Sequence, residues 1–422
     1  MSDVQTAPPV PEGPQTPEES PTAKELQRER WRRAIREITL GGPLIGLISV
    51  LLAMLVGSIL IAATDPKVAE AAGYFFSRPG DTFGAIWESI SGAYTAFFRG
   101  AVYNFNRPDF ASGIKPLTET LTFATPLIVA GLGVGLTFRA GLFNIGGRGQ
   151  MLLGAAIGGW IGFAAPLPIV LHPIVVVIVG MAAGAFWAAI AGVLKAYTGA
   201  HEVIVTIMLN YVGYYLVFWM LSTKGLLQAP GSNNPKSPPM AETAVFPPLI
   251  GDQYNLHVGF LISIAAVVVV WWILERSSLG FAFRAVGLNP RAAQTAGINT
   301  KRVTIIAMCM SGALLGLAGV QQVLGTVTTG FSAGIDAGIG FDAITVALLG
   351  RSRPWGILAA GILFGAFKAG GYSMQAAEGV QIDIVTVVQA LIVLFLAAPP
   401  LIRAMFHLPE PGAKRKVKEA KA

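Results

Sequence analysis

Apolar stretches of about 20 residues recur along this chain, and they constrain its fold more than any other feature. A helix of that length spans the hydrocarbon core of a bilayer while keeping its backbone hydrogen bonds internal. Of the 422 residues, 53% are apolar and only 13% are charged, compared with about a quarter charged in soluble domains. We therefore predict an all-α polytopic membrane protein with about ten transmembrane helices. The candidate spans are residues 43–63, 117–138, 149–165, 171–194, 203–222, 257–275, 303–325, 339–351, 354–372 and 382–402.

The same composition excludes several chemistries. The 50 glycines suit closely packed transmembrane helices. The single Cys309 excludes an internal disulfide and a cysteine-based metal cluster. A nucleotide-binding P-loop needs a Gly-Lys dipeptide, which the chain lacks, and the four histidines lie far apart. No catalytic residue, metal site or cofactor is predicted.

Charge predicts the topology. A basic run at 24–36 directly precedes the first span and should remain in the cytoplasm. Ten crossings then return the C-terminus to the same side and place most of the 30 Lys and Arg there. Residues 1–40 are expected to be a disordered, basic cytoplasmic N-terminus, 41–405 the transmembrane domain and 406–422 a basic cytoplasmic tail. That tail suits topology or anionic lipid better than nucleic acid.

Two polar loops are predicted on the outer side. The stretch 83–99 has aromatic and apolar residues at helical spacing, and we expect it to lie along the outer membrane surface. A further tilted span there is the alternative. The second loop, 223–257, is rich in Pro, Asn and Ser, and either contacts an extracellular partner or covers a pore.

The segment 280–302 predicts a short polar helix between two membrane spans. Asn289 is a good N-cap, Pro290 suits the first helical position, and Gly297 can end the helix in a left-handed conformation. About two turns are too short to be stable alone in water. The segment is therefore either a docking element for a soluble partner or an ordinary connecting loop.

Polar residues within or near the spans are candidates for a translocation path, because polar groups in a membrane tend to face the bundle interior. The glycine-rich break at 138–150 and the start of the fifth span contribute most of them. The alternative role for each is hydrogen bonding between helices, or a tight turn at the break. The candidates are Asn144, Gln150, Glu202, Thr206, Asn210, Gln321, Gln322, Asp342 and Thr345.

Four motifs carry a family resemblance. They are TPLIVAGLGVGLTFRAGLFNIGGRGQMLLGA (125–155), HEVIVTIMLNYVGYYLV (201–217), VGLNPRAAQTAGI (286–298) and GFDAITVALLGRSRPWGILAAGILFGAFKAGG (340–371). Together they resemble the permease subunits of bacterial ABC importers for purine and other nucleosides, within a broader group that includes ribose and branched-chain amino-acid permeases. Arg148 departs from the pattern, since related sequences commonly carry Glu there. Substrate contact at that position would put the substrate assignment in doubt.

The resemblance implies a fold similar to the permease of the vitamin B12 importer, with two groups of helices in inverted topology. It also implies that this chain is a transport subunit of the bacterial cytoplasmic membrane and not an enzyme. Expected partners are a second related permease, an ATPase with two nucleotide-binding domains that holds ATP and Mg, and a lipid-anchored nucleoside-binding protein outside. The family's coupling helix, which inserts into the ATPase, corresponds to Gly287, Asn289, Pro290, Arg291, Ala292, Ala293 and Gly297.

Three other substrates or mechanisms remain open at the level of sequence. A ribose or other sugar permease would share this architecture, and so would a branched-chain amino-acid permease. A secondary transporter driven by an ion gradient should instead show buried carboxylates within its spans. Only Glu202, Asp342 and Asp383 are candidates for that role, and each lies near a span end.

Overall fold

The computed structural model describes residues 42–397 and residue 405, in which helices are joined by loops and the only strand pairing is an isolated β-bridge between Pro248 and His257. The predicted terminal regions 1–40 and 406–422 lie outside the described residues. The helices before the first predicted repeat are α1 (Gly42–Thr64), α2 (Pro66–Ala72), α3 (Pro79–Ala101) and α4 (Phe110–Gly113). The next four are α5 (Lys115–Arg139), α6 (Gly147–Ala164), α7 (Leu171–Thr198) and α8 (Glu202–Ser222).

A long loop leads from α8 to α9 (Gly259–Arg276), which continues through α10 (Ser278–Leu288) and α11 (Pro290–Thr295). The last group is α12 (Thr300–Gln321), α13 (Ile339–Leu349), α14 (Pro354–Glu378) and α15 (Ile382–Ala397). A π-helical turn, Gln322–Thr326, ends α12. Each of the ten predicted spans overlaps one of these helices, and residues 398–402 of the last span lie outside the described residues.

The number of membrane crossings depends on which of these helices are long and apolar enough to span a bilayer. Among the described residues, six helices are long and apolar enough to cross a membrane, and a seventh is added if α1 and α2, bent by 71°, form one span. The polytopic all-α fold is therefore confirmed. The other predicted spans correspond to α6, α13 and α15, which are shorter or less apolar, so the count of ten stays a prediction.

Residues Leu51–Ala397 form one compact unit, and α5 lies at its centre. Leu127, Leu132 and Leu136 of this helix are fully buried, as are most of their neighbours on every face. A helix that is apolar all round is stable only when other helices surround it. Helices α9, α12, α13 and α14 pack around α5.

The two groups α5–α8 and α12–α15 pack against each other reciprocally. The first helix of each group contacts the third helix of the other, so that α5 packs on α14 and α12 packs on α7. Both pairs are antiparallel, as Gly312 and Gly316 meeting Gly184 and Gly180 show for α12 and α7. This arrangement agrees with the predicted inverted repeat.

Close helix packing depends on glycine, as the composition predicts. A Cβ atom at Gly184 would overlap the carbonyl oxygen of Gly312, so the backbones of α7 and α12 are in direct contact. Small residues permit this approach, and dispersion contacts between backbones then stabilise the helix pair.

The amphipathic stretch 83–99 is helical and belongs to α3. This helix packs lengthwise and antiparallel against the second half of α14, where the Phe97 and Phe367 rings lie 5.8 Å apart. Gly92 of α3 faces Glu378 at the end of α14. Phe83 and Trp87 remain exposed on the other face. Its position along the outer membrane surface stays a prediction.

Candidate functional site

The short polar helix α11 forms as its sequence predicts. The Asn289 side-chain oxygen accepts hydrogen bonds from the backbone N–H groups of Arg291 (3.0 Å) and Ala292 (3.1 Å). Gly297 adopts a φ of +84°, and the N–H of Ile298 donates to the carbonyl of Ala293 at 3.0 Å. These two caps satisfy backbone groups that such a short helix leaves free.

The exposure of α11 suits a docking element. Ala293 is buried and fixes the helix to the helices behind it, whereas Pro290, Arg291 and Ala292 are exposed. Leu288, just before the cap, is 88% exposed. An apolar side chain and a guanidinium group on one projecting turn form a surface that a soluble partner can cover.

Gly287 connects this region with the break between α5 and α6. A Cβ atom at Gly287 would overlap the carbonyl oxygen of Arg139 at the end of α5, so the two backbones touch. Gly141 lies at the same contact and has a φ of +72°. The end of α10 and the first residues of the break are therefore in direct backbone contact.

The break itself is held by buried amides. The Asn144 and Gln150 side chains exchange two hydrogen bonds of 3.0 Å, and Asn144 also donates to Ser311 Oγ at 2.9 Å. Asn210 accepts from the Gly149 N–H (2.8 Å) and donates to the Ile145 carbonyl (2.9 Å). Such bonds satisfy the irregular backbone away from water. These predicted path residues hold the break together here, and their part in translocation stays a prediction.

Two other predicted path residues, Glu202 and Thr206, also form contacts within the protein. Glu202 forms an ion pair with Lys195 at 2.8 Å, which joins the start of α8 to the end of α7. Thr206 Oγ donates to the Glu202 carbonyl at 2.8 Å, one turn earlier in the same helix. Neither lines the cavity described below.

A second break separates α12 from α13 and meets the first. Ala337 and Gly338 have φ values of 45° and 79°, and α13 begins directly after them. A Cβ atom at Gly147, the first residue of α6, would lie only 2.6 Å from the Gly340 carbonyl oxygen. The first turns of α6 and α13 are thus in backbone contact.

Charged pairs strengthen this meeting point. Arg148 Nε donates to Asp336 Oδ1 at 3.2 Å, and the guanidinium lies 4.7 Å from the centre of the Tyr214 ring. Lys368 of α14 pairs with Asp342 at 2.9 Å and donates to the Ala337 carbonyl at 3.3 Å. The positive charge of Arg148 is therefore paired with a carboxylate of the protein itself, that of Asp336. Thr345, one turn after Asp342, is half-buried on α13.

A cavity of about 460 Å³ lies beside the second break. Its walls come from α5, from the π-helical turn, from the loop that precedes α13, and from α14. Of the sequence-predicted path residues, only Gln322 lines it. Gln321 lies behind, where its amide donates to the Gly259 carbonyl (3.1 Å) and to Ser263 Oγ (3.0 Å). The lining also includes Thr122, Phe123, Lys236, Ser332, Lys368 and Tyr372, which sequence reasoning did not single out.

Comparison with known proteins identifies the family. Residues 117–397 match the sequence model of the family described as branched-chain amino acid transport system / permease component. The chain belongs to this permease family. The matched region begins in α5 and ends with α15, so it contains both helix groups and both breaks. No solved structure matches the chain, and the similarity to the vitamin B12 importer stays a prediction.

Individual relatives share most of the chain's length. The guanosine ABC transporter permease protein NupP of Bacillus subtilis is 34% identical over 375 residues, covering 88% of this chain and 97% of the relative. The nucleoside ABC transporter permease protein NupB of Lactococcus lactis is 37% identical over 297 residues, 69% of this chain and 81% of that protein. The glucose ABC transporter permease protein TsgB13 of Haloferax volcanii is 37% identical over 289 residues, 66% and 75% respectively. This permease is therefore a transport component of an ABC system in a membrane.

Proposed function

We propose that this permease is the membrane subunit of an ATP-driven importer that carries nucleosides, mainly purine nucleosides, across the cytoplasmic membrane of a bacterium. The similarity to the guanosine permease of Bacillus subtilis carries the proposal, because it covers 97% of that relative and thus both helix groups. The nucleoside permease of Lactococcus lactis supports the same substrate class.

The proposed complex has three further components. A second permease is supported by the match to another guanosine permease of Bacillus subtilis, NupQ, at 27% identity over 260 residues. An ATPase with two nucleotide-binding domains would hold the ATP and Mg of the complex. A lipid-anchored nucleoside-binding protein would deliver the solute from outside. Both termini of the permease would then lie in the cytoplasm, next to the ATPase.

Transport would proceed by alternating access, with no bond in the solute changed. In this proposal α11 docks into the ATPase, and closure of the ATPase on ATP displaces α10 and α11. The contact between Gly287 and Arg139 passes this displacement to the first break, and the contact between Gly147 and Gly340 passes it to the second. The second break forms a wall of the cavity through Ala337. A continuous series of backbone contacts thus connects the docking helix with the cavity.

The chemistry of the cavity disfavours a solute that carries an ammonium group. Its lining offers hydroxyl, amide and aromatic groups together with Lys236 and Lys368, but no carboxylate among the described residues. A free amino acid carries an ammonium group, which is expensive to desolvate without an anionic partner. Nucleosides and sugars carry no such charge. The nucleoside relatives favour the former, and the similarity to the glucose permease makes sugars the competitors to test.

The decisive experiment is uptake of labelled guanosine and adenosine by cells that express the complete set of subunits. Unlabelled nucleosides should abolish the signal, whereas excess ribose, glucose and leucine should leave it intact. Collapse of the proton gradient at constant ATP should leave uptake unchanged, and depletion of ATP should stop it. Competition by ribose or glucose, or absence of nucleoside uptake, would overturn the substrate. Loss of uptake with the proton gradient alone would overturn the ATP-driven mechanism.

A further inference from the structure

The cavity beside the second break has the size of a small-molecule site. Its volume of about 460 Å³ falls within the roughly 300–1,000 Å³ that is typical of ligand pockets. Phe123 comes from α5, Gln322 from the π-helical turn and Tyr372 from α14. Three separate elements therefore converge on one space, and a relative movement of α13 and α14 would change its shape.

Gln322 lines the cavity with a side-chain amide that accepts and donates no hydrogen bond within the described part of the protein. The residue is 7% exposed, and its side-chain oxygen is buried without a hydrogen-bond partner. A buried polar atom in that state destabilises the protein, so it calls for a specific explanation. The side-chain oxygen of its neighbour Gln321 is also buried without a partner, but the Gln321 amide nitrogen donates to both Ser263 and Gly259. Two identical residues thus have different surroundings, and only Gln322 lines the cavity.

The π-helical turn accounts for this placement. The N–H of Val327 donates to the Gln322 carbonyl at 2.7 Å, which closes a wide turn of five residues. Such turns are rare and occur frequently at functional sites. The Gln322 amide has two donors and one acceptor, and rotation by 180° exchanges their positions. It can therefore pair with a hydroxyl, a ring nitrogen or an exocyclic amine.

Two aromatic rings form another part of the lining. Phe123 and Tyr372 lie 5.7 Å apart with an angle of 34° between their planes. Tyr372 is 52% exposed, so its ring is available to a ligand. Aromatic faces stack with any nucleobase, whatever its hydrogen-bonding pattern. The charge of Lys368 is balanced by Asp342 at 2.9 Å, which keeps this side of the lining close to neutral.

We propose that Gln322, Phe123 and Tyr372 form a nucleoside-binding subsite within the translocation path of this permease. The base packs against the Phe123 and Tyr372 rings, and the Gln322 amide hydrogen-bonds a polar edge of the base or sugar. This inference deepens the proposed function and depends on it. It assigns substrate contact to the π-helical turn and separates Gln322 from Gln321, whose amide holds α12 against α9.

The test replaces Gln322 by Met, which keeps the length of the side chain and removes its amide. Because the Gln322 oxygen has no protein partner, Gln322→Met should leave the thermal stability of the purified complex unchanged or raised. The apparent KM for guanosine uptake should rise about 10-fold, the effect of one lost hydrogen bond. Phe123→Leu should raise the KM as well, with normal amounts of the subunit in the membrane.

Two matched variants control for structure. Gln321→Met should lower thermal stability, because it removes hydrogen bonds that the protein uses. Gln375→Leu removes an exposed amide on α14 outside the cavity and should change neither stability nor uptake. Wild-type KM values in assembled Gln322→Met and Phe123→Leu complexes would overturn the subsite while nucleoside import stands. Absence of nucleoside uptake by the wild-type complex would instead overturn the proposed function, and the nucleoside subsite with it.

Discussion

At the scale of single residues, one backbone angle determines how α11 ends. Gly297 has a φ of +84°, and no neighbouring atom lies within 4 Å of the position a Cβ would take. A side chain there meets no steric obstacle outside its own backbone. The conformation itself still costs a non-glycine residue about 1–2 kcal/mol, with Asn among the better tolerated. A β-branched residue is the least compatible.

Gly297→Val should therefore distort the end of α11 and abolish most substrate uptake while the complex still assembles. Gly297→Asn should retain much of the activity, since Asn accepts positive φ. Uptake and co-purification of the ATPase would be measured on the same membranes. Gly199 supplies the control, because it ends α7 with a φ of +72° and equally open space. If Gly297→Val transports normally, or Gly199→Val loses as much uptake, the coupling role of α11 is wrong.

At the scale of structural elements, the ion pair between Arg148 and Asp336 joins the two helix breaks. The Asp336 side chain is 6% exposed and the Arg148 side chain 30% exposed. Removing one partner of a fully buried pair typically costs about 3–5 kcal/mol. Partial exposure of Arg148 places the expected cost lower, at about 2–3 kcal/mol, because water screens part of the interaction.

Arg148→Glu should accordingly lower the amount of folded subunit and its melting temperature, because two carboxylates would then face each other. The double variant Arg148→Glu with Asp336→Arg should recover part of both quantities. Recovery is the informative result, since two independent defects would add. A double variant that is no more stable than the worse single one would show that the pair does not hold the breaks together.

The sequence predicted those structural elements whose ends are specified by residues close together in the chain. The caps of α11 lie within nine residues of one another, so Asn289, Pro290 and Gly297 could be interpreted without knowing the rest of the fold. The partner of Arg148 is Asp336, 188 residues away, and that of Asn144 is Ser311, 167 residues away. No periodicity reveals such contacts. Gln321 and Gln322 are identical in sequence, and only the π-helical turn distinguishes the one that binds α9 from the one that lines the cavity.

At the scale of the whole molecule, the reciprocal packing of the two helix groups makes each group dependent on the other. Helix α5 packs on α14, and α12 packs on α7. Neither group can therefore bury its own apolar helices alone. The two breaks meet at Gly147 and Gly340. Movement is thus expected at the breaks and at their surroundings, while the glycine-packed contact between α7 and α12 remains fixed.

The number of crossings depends on whether the short helix α13 spans the membrane. With 11 residues and a rise of about 1.5 Å per residue, it is shorter than a bilayer core of about 30 Å. Ten crossings nevertheless require that the chain before and after α13 lie on opposite sides. Cys309 is the single cysteine of the chain, so a Cys309→Ala background allows each side to be probed with one introduced cysteine.

Thr329 precedes α13 and Arg353 follows it, and both are exposed. A membrane-impermeant maleimide should label Thr329→Cys in intact cells and Arg353→Cys only after the membrane is permeabilised. Gly80→Cys in the predicted outer loop and Thr295→Cys on α11 serve as the outside and inside references. Labelling of Thr329→Cys and Arg353→Cys from the same side would make α13 a re-entrant helix. The chain would then cross nine times, with its termini on opposite sides, and the positions of the basic tail and the ATPase would have to be reassigned.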